Sequence, residues 1–275
     1  MDFPTDRIYK FSSFNNNSIS ALASSSAWFS KLKTLNDPFE GFVTYIEPQN
    51  EDEKITQLIK LGAESLKADT NPQKAMEVAK QRYLADGDSF IKKMTEFAEE
   101  LRARREAFFD TLCVFSTSID IPEYLKPNYA NMLMWSHYGH GFAGFCLQFS
   151  ANKFYSSLKV ENPEIVWGTV DYVAEALKLS VLDYLNQDNI EYCQPILTKH
   201  EQWSYEGELR FISNIEGLHQ YSSEALEVIY VGENMPSGQQ KVIKAIAKNY
   251  FPKAKVLKVS IHPSGYNVIT EEMKI

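Results

Sequence analysis

The stretch Asn131–Phe149, NMLMWSHYGHGFAGFCLQF, decides the reading of this chain, because it passes from a helical to an extended pattern across a group of polar and aromatic residues. Leu133 to Tyr138 reads as a short helix. Gly144-Phe145-Cys146-Leu147-Gln148-Phe149 reads as an apolar strand, and Gly139, Gly141 and Gly144 allow tight turns between the two. Trp135, Ser136, His137, Tyr138 and His140 are thereby held between an apolar approach and an apolar exit, the rigid support that a site needs.

Working outward, the same alternation recurs. Arg7 to Phe11 reads as a strand, a short helix is expected around Ser18 to Ala23, and Ala27 to Ser30 reads as a second strand. Asn36-Asp37-Pro38 marks a defined turn. Later strands are expected at Thr111–Ser116, Gly144–Phe149, Ile165–Val173, Glu208–Ser213, Leu226–Val231, Lys255–Ile261 and Tyr266–Ile269, with helices at Ala174–Asn186 and Gln239–Tyr250, although Tyr184, Ile190, Tyr192 and Ile196 suit an irregular cover over the site as well as helices broken at Pro195. Between them, about 51–109, the composition turns to Ala, Lys, Glu, Leu and Met, with breaks at Asp69-Thr70-Asn71-Pro72 and Asp86-Gly87-Asp88. Two or three helices follow from that pattern. The fold class is therefore α+β, a mixed and mostly antiparallel sheet in one domain over 1–275 with a helical insertion.

The whole-chain balance narrows function. There are 28 basic and 36 acidic residues in 275, and the net charge of -8 disfavours a broad electrostatic footprint on nucleic acid. Cys113, Cys146 and Cys193 form no CxxC pair and read as reduced, buried thiols. The acidic opening Met1-Asp2-Phe3-Pro4-Thr5-Asp6 lacks the pattern of a secretion signal, and no apolar run reaches membrane-spanning length. A cytoplasmic location and no membrane partner are expected.

A second cluster, Trp203-Ser204-Tyr205-Glu206-Gly207-Glu208-Leu209-Arg210-Phe211, alternates like a strand, which would place Glu206, Glu208 and Arg210 on one face. His137 and His140 are three residues apart and could combine with Cys146 or Asp37 around a metal, but the flanking Gly139 and Gly141 argue against a continuous helix there, and no metal is expected. His137 as a base with Glu206 or Glu208 as its partner would suit acid–base hydrolysis. The same polar residues could equally tie sheet to loop as a buried network of Trp135, His137, Tyr138, Glu208 and Arg210 with Asn36 and Asp37.

Four blocks resemble a bacterial family known as a domain of unknown function, DUF2971: Tyr9-Lys10-Phe11; Trp28-Phe29-Ser30 with Asn36-Asp37-Pro38-Phe39-Glu40; Met134-Trp135-Ser136-His137-Tyr138 with Gly144-Phe145-Cys146; and Trp203 to Arg210. A looser resemblance reaches the ADP-ribosyltransferases, in which a split sheet clamps NAD between an early strand with Arg or His, a middle strand with Ser or Tyr, and a late strand with Glu. Arg7 to Phe11, Ser116-Thr117-Ser118 and Glu206-Gly207-Glu208 follow that order here.

This resemblance implies an NAD-dependent activity of a bacterial defence or toxin system. It assigns Glu208 as the catalytic carboxylate, with Glu206 and His137 assisting. Tyr9, Lys10, Trp28, Ser30, Tyr138 and Arg210 would bind the dinucleotide, which serves as substrate. A carboxylate beside the ribose would stabilise the positive charge that develops when the nicotinamide bond breaks, and Arg7 or Lys10 would hold phosphate. The partners are then a nucleotide-type small molecule and a nucleic-acid or protein acceptor. The alternative is a nucleotide- or nucleic-acid-binding defence component without bond breaking.

Overall fold

The computed structural model describes residues 3–66, 71–122, 126–184 and 193–274. Two compact units are present: the first comprises Met1–Asn36, Leu112–Tyr172 and Lys199–Ile275, the second Asp37–Thr111 and Val173–Thr198. The architecture is α+β, with a mixed, mostly antiparallel sheet.

The first unit is built on a ten-stranded sheet. Arg7–Ser12 lies antiparallel between Cys113–Ser118 and Phe145–Ser150. Beyond the latter come Leu226–Gly232, Lys255–Ile261 and Val268–Glu272. The pair Leu226–Gly232 and Lys255–Ile261 is parallel, because the helix Ser237–Tyr250 returns the chain between them. On its other edge Cys113–Ser118 pairs along its whole length with Glu208–Ser213, which pairs in turn with Val166–Thr169.

Strand alternation divides the interior. Ile8, Phe29, Phe115, Phe149 and Phe211 join one cluster with Phe154 and Leu158 of the helix Ala151–Glu161. Tyr9 and Phe11 face the opposite way, with Trp135, Phe142, Cys146 and Tyr230. Gly144 and Gly232 let the Phe145–Ser150 strand approach its neighbours: a Cβ on Gly144 would stand 2.2 Å from the Ser12 carbonyl oxygen, and one on Gly232 would stand 2.1 Å from that of Phe142.

The second unit holds the helices Glu51–Glu64, Pro72–Ala85 and Gly87–Thr111 and a parallel pair of strands, Val43–Tyr45 and Leu177–Leu179. Asn50 and Asn71 cap the first two helices through their side chains, and Pro72 stands at the start of the second. The break expected at Asp69–Thr70 lies outside the described residues. Arg102 and Arg104 each pair with a glutamate one turn away, Glu106 at 3.1 Å and Glu100 at 2.5 Å.

Several features depart from the sequence reading. No helix runs over Ala174–Asn186: the alternation of Leu177, Lys178 and Leu179 makes a strand, and Ser180 bonds the Asp183 carboxylate through its backbone N–H (2.6 Å) and hydroxyl (2.9 Å), confining helical geometry to a short turn at Val181–Tyr184. Residues 185–186 of that span lie outside the described residues. The strand expected over Ile165–Val173 breaks after Thr169. The helix Ala151–Glu161 was not among the expected elements, although Ala151, Phe154 and Leu158 carry its buried stripe.

Replacing Gly144 by Ala should lower the free energy of unfolding by about 2–3 kcal/mol through overpacking. Ala at Gly238, where a Cβ meets nothing within 4 Å, should raise it by roughly 0.5 kcal/mol. Denaturant titration of the two variants checks both signs.

Candidate functional site

One edge of the Cys113–Ser118 strand serves two neighbours. Arg7–Ser12 meets it only at its end, Tyr9 opposite Ser118, whereas Ser26–Lys31 meets it only at its start, Ser30 opposite Val114 and Lys31 opposite Cys113. Phe115, Ser116 and Thr117 therefore have no register partner on that edge among the described residues. The sheet is split there, and Lys10 fills the gap by donating from Nζ to the Ser116 carbonyl oxygen at 2.8 Å, its ammonium lying 4.8 Å from the centre of the Phe115 ring.

A cleft of about 530 Å³ opens at this split. Lys10 and Ser12 of the first strand, the helix Asn16–Ala23, and Trp28 and Ser30 of the second strand contribute to its walls, with Phe115, Leu147 and Phe149 on the sheet side and His137 and Tyr138 at the end of the helix Met132–His137. Its helix is set by Asn15, whose side chain accepts from the Ser18 backbone while the Ser18 hydroxyl accepts from the Asn15 backbone. Trp28 and Leu218 stand opposite each other on paired strands at the rim, each 52% exposed.

Beside the cleft lies a buried ion cluster. Arg210, fully buried, donates through Nε and a terminal nitrogen to the two oxygens of Glu208, both at 2.8 Å. Lys199, 5% exposed, reaches Glu206 at 2.7 Å and Glu208 at 3.6 Å, and its ammonium sits 4.5 Å from the centre of the Trp203 ring. The Tyr138 hydroxyl donates to the other Glu206 oxygen in a short hydrogen bond and accepts from the Asn36 side chain at 3.0 Å. The Glu208 backbone N–H donates to the Tyr172 hydroxyl at 2.8 Å.

The two carboxylates are tuned apart. Burial works to raise both. In Glu208 it is overcome by the Arg210 guanidinium and its hydrogen bonds, helped by Lys199 and the Ser116 hydroxyl, so its pKa falls to about 2. In Glu206 burial prevails over Lys199 and the Tyr138 hydrogen bond, and the pKa rises. Burial likewise lowers the pKa of Lys10, against the pull of Glu208 and Glu206. With Lys10, Lys199 and Arg210 set against Glu206 and Glu208, the fully ionised cluster carries one positive charge in excess.

The residues expected to form one site fall in three places. Lys10, Trp28, Ser30, His137 and Tyr138 line the cleft. Tyr9, Ser118 and Glu208 stand opposite one another on three adjacent strands, with Arg210 on the same face of its strand, whereas Lys10 belongs to the other face of its own. Tyr9 is sealed on that face, its hydroxyl 3.5 Å from Asp120. Glu206 is not on the strand with Glu208 and Arg210, as the alternation suggested. It ends a 3-10 segment at Glu201–Glu206, and Gly207 turns the chain at φ +50° before the strand begins at Glu208; a Cβ on Gly207 would also stand 2.6 Å from Ile121.

Charges that the sequence presented as open on a strand face are thus paired among themselves. His137 is exposed, its ring 5.8 Å from that of Tyr205, and it is Tyr138 rather than His137 that bonds Glu206. Trp135 donates instead to the Tyr129 carbonyl oxygen at 2.7 Å. The sequence does not single out Lys199 or Tyr172: Tyr172 lies in a segment read only as a strand, and a single lysine beside Ile196 and Leu197 carries no local sign of two carboxylate partners.

Residues 134–211 match the family described as protein of unknown function (DUF2971). The match supports the resemblance to that family and takes in Tyr138, Lys199, Glu206, Glu208 and Arg210, while Lys10, Trp28 and Ser30 precede it. No curated protein and no solved structure matches the chain. Among the described residues no helix is long and apolar enough to cross a membrane.

Removing one member of the buried pair should be costly: Arg210→Met leaves the Glu208 carboxylate short of its main partner and should lower unfolding free energy by about 3–5 kcal/mol, measured by denaturant titration. Because the Glu208 pKa is depressed in the fold, its contribution is present above the ordinary carboxylate value of 4.5 and is lost as pH falls from there towards about 2. Acid titration of stability should show that loss in the wild type and a shallower slope over the same window in Glu208→Gln.

Proposed function

We propose that the protein binds NAD in the split-sheet cleft and transfers ADP-ribose from it, an ADP-ribosyltransferase-like activity. The observation that carries this reading is Tyr138, which lines the cleft and at the same time holds Glu206, linking a buried carboxylate of raised pKa to the wall where a ligand would lie. The cleft suits a dinucleotide in chemistry as well as size: about 530 Å³ is within the range of small-molecule sites, its apolar floor accepts flat rings, and Lys10, whose ammonium is the charge left over once Lys199 and Arg210 are balanced by Glu206 and Glu208, accepts phosphate.

Bound there, NAD supplies an electrophilic ribose carbon and a neutral leaving group, nicotinamide. Lys10 orients the phosphates without leaving the sheet opening. Rotation of Tyr138 away from Glu206 exposes the carboxylate to the ribose, where its negative charge opposes the positive charge of the transition state. Its raised pKa equips Glu206 to take the proton that an acceptor hydroxyl or amine gives up. Glu208, locked to Arg210, stays ionised and fixes the field around Glu206 and Lys199.

A second reading, nucleotide binding without bond breaking, is favoured by the position of Glu208, on the strand face away from Lys10 and fully engaged by Arg210.

Incubation with NAD labelled in its adenylate half, with candidate protein and nucleic-acid acceptors, separates the two. Nicotinamide release by the wild type, lost at least a hundredfold in Glu206→Gln while NAD binding persists, supports transfer. Binding without release supports the second reading, and absence of NAD binding contradicts both.

A further inference from the structure

Between Glu233 and Glu271 the chain has no acidic residue and six lysines, Lys241, Lys244, Lys248, Lys253, Lys255 and Lys258, although its net charge is -8. The helix Ser237–Tyr250 gathers three of them. Ile243, Ile246 and Ala247 bury one side of it in the core, while Lys241, Lys244 and Lys248 recur at intervals of three and four residues and so share one stripe. Lys241 and Lys248 are exposed and Lys244 is half-buried. Lys253 is paired with Glu224, and Lys258 stands opposite Glu271 on the adjoining strand, but the three helical lysines have no ion partner among the described residues. The helix Asn16–Ala23, which Ser237–Tyr250 touches, carries no charge. Like charges at this spacing repel one another, and a bound anion relieves that repulsion.

The surroundings of the stripe narrow the partner. A membrane-surface helix offers its apolar face to lipid, and here that face is in the core. Protein interfaces are depleted in lysine and centred on large side chains, whereas the residues beside these lysines around the helix, Ser237 and Ala245, are small. A polyanion held by charge alone fits both observations. Lys241 and Lys248 are about 10 Å apart along the helix axis, the span of about three stacked phosphates of one strand. One row of cations tracks one strand, while the negative charge of the rest of the chain repels the wider face of a duplex.

We infer that the lysine stripe of Ser237–Tyr250 binds the phosphate backbone of single-stranded nucleic acid. Asn16–Ala23, on which this helix rests, also contributes to the wall of the split-sheet cleft, so a strand held there lies one helix away from the cleft. The binding does not depend on what the cleft itself receives.

Fluorescence anisotropy of the full chain with a labelled strand, DNA and RNA in separate arms and NAD absent, tests it. The wild type should bind. Replacing Lys241, Lys244 and Lys248 together by Gln should weaken binding at least tenfold at low salt and lower the slope of log affinity against log salt by about two, at about 0.7 for each lysine. Because none of the three is paired, this variant should unfold at the wild-type temperature, and replacing Lys80, Lys92 and Lys93 of the second unit by Gln should leave binding unchanged. Failure of the wild type to bind either strand, an equal effect of the two triple variants, or tighter binding of a duplex of the same sequence overturns the inference. So does binding of phosphatidylserine vesicles in place of the strand, which would assign the stripe to a membrane. Each of these outcomes leaves the reading of the cleft standing.

Discussion

A strand has two edges, and Cys113–Ser118 gives one of them to two neighbours that each hold only an end. The backbone between those ends must find other partners, since an unpaired buried carbonyl is costly. Lys10 meets that requirement at Ser116, which brings an ammonium into the opening and obliges the surroundings to accommodate a buried charge. The cleft, the carboxylates behind it and the placement of Tyr138 at their boundary all follow from that gap.

The buried ions hold one another in a fixed order. Glu208 is satisfied by Arg210 on its own strand, two residues away and hence on the same face, a geometry that the register with Ser116 and Ser118 enforces. Lys199 then bridges to Glu206, and Glu206 in turn receives the Tyr138 hydroxyl. Ion pairs of this kind contribute little net stability over apolar packing, yet breaking one partner is severe, so they act to specify one arrangement. The chain of contacts ends at Tyr138, the member that also faces the cleft.

Much of the architecture was legible because it depends on local periodicity. Glu208–Ser213 and Lys255–Ile261 alternate, and Asn71-Pro72 announces the helix that it opens. What failed locally failed for local reasons. Ser180 and Asp183 bond each other and stop a helix that composition favoured, and Gly207 in the left-handed region takes Glu206 off the strand that its spacing to Glu208 suggested. The candidate site was legible only as an inventory. Sequence identified Lys10, Tyr138, Glu206, Glu208 and Arg210 as chemically important, but not that Lys10 and Glu208 belong to opposite strand faces, because that depends on the register of three strands widely separated in the chain.

The central claim is that the opening in the sheet is a nucleotide site whose wall residue Tyr138 shields Glu206. A crystal structure of the full chain grown with saturating NAD tests it most directly. The account predicts phosphates at Lys10, a ring beside Phe149, and the Tyr138 hydroxyl displaced from Glu206 with the ribose in its place. NAD bound elsewhere on the molecule, or a cleft that stays empty with the Tyr138–Glu206 hydrogen bond intact, would contradict it.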